Sequence, residues 1–154
     1  MDILFLAITG IILSIFFSSS EIALISANKL QIDVWVKQNL RLSRIANLII
    51  DNKEFYLFCI LVGNNIANML TTSFLTIYIV NSNILPEESI FIIISILILL
   101  FAEIIPKSII RQFSNATLLI ISPILYAIGM ILGPIYNTSK IFLNINSDDS
   151  IFKS

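Results

Sequence analysis

Histidine is absent from this 154-residue chain, and cysteine occurs once, at Cys59. The first absence removes the usual general base of neutral pH and the imidazole ligand of zinc, copper and iron sites. The second excludes an intrachain disulfide and any thiolate cluster, and Cys59 lies in an apolar stretch that suits a packed thiol. Charge is scarce too: 12% of the residues are charged and 57% hydrophobic, with a mean hydropathy of +0.96. A soluble domain carries about a quarter charged residues, so the solvent of this chain is lipid. A net charge of −1 gives no electrostatic case for nucleic acid, and the length suits one membrane domain.

What is present is four apolar stretches, at residues 3–17, 55–80, 90–105 and 118–136. Hydrocarbon ~30 Å thick asks for about 20 helical residues per span. The first stretch reaches that length only if 18–25 continues it, which carries Glu21 and its serines to membrane depth. The third passes Pro106 only as a kinked helix. The fourth holds Pro123, Gly129, Gly133 and Pro134, which predict two short helices or a broken interfacial hairpin rather than a clean span. A signal peptide is disfavoured, because Asp2 stands where a basic residue belongs and no small-residue cleavage site precedes the serines.

The expected fold is therefore an all-α membrane protein with three transmembrane helices, at about 3–27, 55–80 and 90–112. Juxtamembrane helices are expected at about 28–52 and 115–136, and a short polar tail at 137–154. Segment 28–52 reads either as helices lying on the membrane surface, with Trp35 at headgroup level, or as a helical hairpin packed on the membrane domain. Lys29, Lys37, Arg41, Arg44 and Lys53 lie between the first two spans, whereas 81–89 has no base and carries Glu87 and Glu88. The positive-inside rule then sets the first connection and everything from Lys107 in the cytoplasm, with the N-terminus outside. If 118–136 does not cross, Lys140 and Lys153 also stay inside.

Three polar clusters sit inside the apolar stretches: FFSSSEIAL at 16–24, VGNNIANML at 62–70, and AEIIPKSI at 102–109. Polar or ionisable groups at bilayer depth cost kilocalories unless partnered, and by default they mark an ion or substrate pathway. Helical spacing gathers Ser14, Ser18 and Glu21 on one face of the first helix. Asn64, Asn65 and Asn68, with Thr71 and Thr72, form a stripe on the second, and Ser95 and Glu103 share a face of the third. Such stripes are buried against one another or around a shared polar pocket.

The donors on offer are hydroxyls, amides and carboxylates, a hard-oxygen set suited to Mg²⁺, Ca²⁺ or Na⁺. Pro106 cannot donate to the carbonyl of residue 102, which frees a main-chain oxygen beside Glu103. Gly63 permits close helix approach next to Asn64. Other readings stand beside these. Asn65, Ser19, Ser20 and the threonines serve equally as interhelical hydrogen-bonding groups, Glu21 can pair with Lys29, and Glu103 with Lys107. Lys107 and Arg111 also read as interfacial anchors.

FSSSEIAL, GNNIANML and AEIIPKSI, in this order and at these spacings, resemble the membrane domain of the CorC and cyclin M (CNNM) proteins, implicated in magnesium efflux. The resemblance spans nearly the whole chain and implies a homodimer in the cell's inner membrane, an inward-facing cavity holding Mg²⁺, and Na⁺ entry as the drive. It points to Ser18, Asn64 and Glu103 as the ion-binding core, with Asn68, Ser20 and Glu21 next in line and Pro106 shaping the site. Two departures stand out: Ala102 replaces a commoner glycine, and the cytosolic CBS domains that usually follow are absent from this sequence. The chain is thus expected to export Mg²⁺, or else to be a membrane scaffold or a non-transporting half that needs a separate CBS-containing partner. An enzyme is not expected, since no nucleophile has a base beside it. A channel is not expected either, because 75–80 and 91–94 are too apolar.

Overall fold

The computed structural model describes residues 2–82 and 87–148. The remaining residues, including Lys153, lie outside it, as do the side chains of Glu87, Glu88 and Lys140. All the elements among the described residues are helical. The first, α1 (Asp2–Ser26), is followed by α2 (Lys29–Lys37), α3 (Ser43–Asp51) and α4 (Lys53–Asn81). Then come α5 (Glu87–Leu97), a π-helical segment (Ile98–Ile104), α6 (Ile105–Ile110), a 3₁₀ turn (Arg111–Phe113) and α7 (Ser114–Asp148).

Three stretches are long and apolar enough to cross a membrane: Ile3–Ser26, Lys53–Ser82, and Ser89–Tyr136, which joins α5 through most of α7. The protein is an all-α membrane protein. A helix of 25 residues such as α1 is about 37 Å long, sufficient for the hydrocarbon layer. Much of the apolar surface faces outward, as lipid permits: Phe5, Met69, Phe91, Ile92 and Ile131 are all more than 60% exposed.

Antiparallel α1 and α4 form the central pair, and glycines set how closely they approach. Gly10 on α1 lies against Thr71 of α4, where a Cβ would come within 2.6 Å of Oγ1. Gly63 on α4 lies under the Phe17 ring of α1, with no room for a methyl group. The main core joins Phe17 and Leu24 of α1 to Tyr56 and Ile60 of α4, Ile32 of α2, Ile49 of α3, and Leu118 and Leu125 of α7. A second cluster, at four-residue steps through Ile90, Ile94, Ile98 and Ala102, packs on Ile15, Leu75 and Ile79.

Segment 28–52 forms a helical hairpin packed on the core. Asn28 Oδ1 caps α2 by accepting from the N–H groups of Leu30 and Gln31, at 2.9 and 3.4 Å. The chain reverses through Asn39 and Leu42, both at positive φ, and Ile32, Ala46 and Ile49 are then fully buried. Trp35 packs against the same core.

The fourth apolar stretch departs from expectation, since α7 runs unbroken through Pro123 and Pro134. Pro123 offers no N–H to Leu119 O, but the buried Ser122 hydroxyl donates to that carbonyl at 2.9 Å and replaces the missing bond. Gly129 gives α7 a close approach to Tyr56, and Tyr136 stacks edge-on against Phe55 with centroids 5.0 Å apart. Contacts of α7 thus fall on the second half of α1, on α3 and on the first half of α4, at the basic end of the bundle.

Candidate functional site

Three helices meet on one string of polar atoms. Ser14 Oγ of α1 donates to Asn68 Oδ1 of α4 at 2.6 Å, and Asn68 Nδ2 donates to Glu103 Oε1 at 3.0 Å. The glycine contacts explain the first link: with Gly10 opposite Thr71 and Phe17 opposite Gly63, the antiparallel register sets Ser14 against Asn68. One turn nearer the basic end, the same register sets Ser18 against Asn64. Both side chains are buried, and both Ser18 Oγ and Asn64 Oδ1 lack a hydrogen-bond partner in the protein. An orphaned buried oxygen costs about 1–3 kcal/mol, so these two, one turn along α4 from the asparagine that holds Glu103, are open to a water or a cation as partner.

Glu103 lies on the π segment. Ile105 N–H reaches back five residues to Leu100 O, and the next residue, Pro106, brings no donor. The register therefore slips by one residue just ahead of the proline, and the extra residue re-aims the carboxylate. Ala102 is buried against the second cluster, so Glu103 stands between the packed face and a groove of about 230 Å³. Asn68, Thr72, Ser95, Ile98, Leu99 and Glu103 line that groove.

The other sequence-nominated residues divide between site and support. Glu21 does not pair with Lys29: its carboxylate meets Lys107 Nζ at 2.9 Å, tying α1 to α6 and engaging the lysine expected as an anchor. Lys29 pairs instead with Asp51, which joins α2 to α3 and holds the ammonium above the usual lysine pKa, chiefly through the hydrogen bond and then the carboxylate's charge. Ser20 is buried and donates to Phe16 O at 2.7 Å, so its proton stays within its own helix. Thr71 and Thr72 likewise donate to Ala67 O and Asn68 O. Asn65 does not join Asn64 on the buried face; it is exposed and lines an outer groove with Asn68, Met69, Thr72 and Ser73. Gly63 acts through the Phe17 contact.

Ser14 belongs to the α1 stripe but is not among the residues that the sequence nominates for the site, although it anchors the string; its i, i+4 relation to Ser18 is the available signal. The π segment carries no sequence signal beyond Pro106 itself.

Among the described residues no three Asp, Glu, Cys or His side chains cluster. The side chains gathered here are one carboxylate, two asparagine amides and serine hydroxyls, all hard-oxygen donors. The family model of the cyclin M transmembrane N-terminal domain matches residues 5–147. The chain belongs to the cyclin M transmembrane family. A comparison with curated protein sequences gives no match. The cyclin M match runs through all three polar motifs, so the string from Ser14 to Glu103 lies within the family's membrane domain.

Proposed function

We propose that this chain is the membrane part of a Mg²⁺ exporter driven by Na⁺ entry, with the cation taken up from the basic, cytoplasmic end of the bundle. The observation that carries the reading is the pair of buried, unpartnered oxygens, Ser18 Oγ and Asn64 Oδ1, one turn from the Asn68–Glu103 hydrogen bond. Glu103 supplies the charge, Ser18 and Asn64 replace water, and Asn68 holds the carboxylate in place. Glu21 offsets Lys107, so a cation approaching Glu103 does not meet a bare ammonium. Ser20 and Pro106 shape the walls, the first through its helix and the second through the π register.

A single carboxylate suits transport better than storage, because Mg²⁺ sheds water reluctantly and each added charge deepens the trap. The distribution of basic residues supports, by the positive-inside rule, an N-terminus outside and a C-terminal helix in the cytoplasm of a multi-pass inner-membrane protein. The exposed polar groove along Asn65, Asn68 and Ser95 favours a homodimer, since hydrocarbon leaves such a face uncovered only at a cost.

One observation favours a second reading, a membrane scaffold. The string Ser14–Asn68–Glu103 is satisfied within the chain, as interhelical glue would be. Calorimetry on the purified protein, with and without Na⁺, separates the two. Saturable Mg²⁺ binding is expected, lost in Glu103→Gln and weakened about tenfold or more in Asn64→Ala. Binding retained by a folded Glu103→Gln protein refutes the site, and a native protein that binds no Mg²⁺ favours the scaffold.

A further inference from the structure

On α4, Asn64, Asn68, Thr72 and Thr76 follow one another at four-residue steps, leading from the Ser18–Asn64 rung past Glu103 and away from the basic end. The partner helix runs antiparallel: Asn68 meets Glu103, while Leu75 and Ile79 pack with Ile90, Ile94 and Ile98. That register brings Thr72 level with Leu99 and Thr76 level with Ser95. The groove beside Glu103 starts along the same line, with Thr72 and Ser95 on its wall, and Thr76 lies one helical turn beyond Thr72.

Thr76 differs from the threonines below it. Thr71 and Thr72 donate to their own helix at 2.8 Å, as membrane threonines commonly do, whereas Thr76 Oγ1 is buried and has no partner. Neither Thr76 nor Ser95 belongs to the ion-binding core described above, and both stand in the half of the bundle whose sequence is otherwise apolar.

We propose that Thr72, Thr76 and Ser95 form the outward leg of the cation route, a short hydroxyl-lined path that receives a partly hydrated Mg²⁺ released from Glu103. The inference rests on the transport reading and adds to it where the ion leaves. Its chemistry suits release. Among the described residues, Thr72, Thr76 and Ser95 offer neutral hydroxyls along this path beyond Glu103, so the cation leaves its counter-charge for dipoles that hold it more weakly, and waters rejoin it stepwise. The flanking Ile98 and Leu99 leave the hydroxyls as the polar contacts of the leg, so water and small solutes enter it intermittently, in contrast to the standing water column of a channel.

The test uses the full chain in proteoliposomes. Thr76→Val keeps the shape of the side chain and removes the hydroxyl, Thr76→Ser restores it, and Ser95→Ala shortens the opposite wall. We expect Thr76→Val and Ser95→Ala to bind Mg²⁺ within about twofold of the native chain while losing about five- to tenfold in flux, with Thr76→Ser near native. Independently, in a Cys59→Ala background, Ser95→Cys should react with a charged, water-borne thiol reagent about tenfold faster than lipid-facing Ile92→Cys. A native chain that carries no Mg²⁺ flux removes the transport reading and this one together. Native flux with the Thr76 and Ser95 variants at native rate, or Ser95→Cys labelling no faster than Ile92→Cys, removes the outward leg alone. Loss of Mg²⁺ binding in Thr76→Val also overturns it, by making Thr76 part of the binding core.

Discussion

Pro123 and Pro106 each deny an apolar helix one N–H donor, yet only one of them disturbs the winding. Beside Pro123, the hydroxyl of Ser122 fills in for the missing donor and α7 continues as an α-helix. The residue before Pro106 is Ile105, which has no hydroxyl to lend, and there the helix widens into a π segment that carries Glu103. A neighbouring hydroxyl is one difference between these two sites, although α7 also continues through Pro134, which follows Gly133. A proline in a membrane helix is thus a neutral element until its surroundings decide whether the freed carbonyl is repaired or left to function.

The sharpest way to break this contrast is Pro106→Ala. With the donor restored, the segment should rewind toward α geometry and turn Glu103 by about 100° away from Asn68. Mg²⁺ binding should fall as far as in Glu103→Gln, by calorimetry on a protein that still elutes as a folded species. Ile105→Ser is the subtler exchange, because it gives Pro106 the neighbour that Pro123 has. We expect binding to weaken by about tenfold, corresponding to about 1.4 kcal/mol, and native affinity in that variant would separate the π register from the site. On the other side, Ser122→Ala leaves Leu119 O unserved and should lower stability by about 1–2 kcal/mol, an effect that Pro123→Ala in the same chain should suppress. Thermal unfolding of the single and double variants in detergent checks that cycle.

Smallest of all is the effect of removing the exposed Lys29–Asp51 pair, well away from either proline. Lys29→Ala should move the melting temperature by about 2 °C or less near neutral pH. Because the folded state raises the lysine pKa, the native advantage is present below the ordinary value of 10.5 and disappears as the pH climbs through the raised one. Equal melting temperatures at neutral pH would show the pair to be idle; a gap that widened with pH would contradict its assignment.

Much of the fold and part of the site are legible in the amino-acid sequence. Low charge and long apolar runs identify a membrane protein directly, and the serine, asparagine and glutamate motifs stand out because lipid tolerates so few such groups. Cross-helix pairing is not legible there. Asn64 and Asn65 are neighbours in one polar cluster, but about 100° of helix rotation separates them, and only the fit of Gly63 under Phe17 decides which of the two is buried. Chain proximity points Glu21 toward Lys29, whereas the helix that brings Lys107 to it is more than eighty residues away in the chain. The continuity of α7 is hidden because proline and glycine counts describe breaking power and say nothing of repair by an adjacent serine.

The string that ends at Glu103 brings one formal negative charge among neutral oxygens, while Glu21 and Lys107 cancel nearby. Loaded with a divalent cation, the site carries a net charge of about +1, and empty it carries about −1. Both halves of a transport cycle would then move charge through the membrane, and each step across the full potential is worth about 2.3 kcal/mol per 100 mV. A membrane voltage negative inside would resist the outward passage of the loaded site and equally resist the inward return of the empty one. The turnover of such a carrier should therefore respond to voltage, and a second cation riding inward with the returning carboxylate would relieve that opposition.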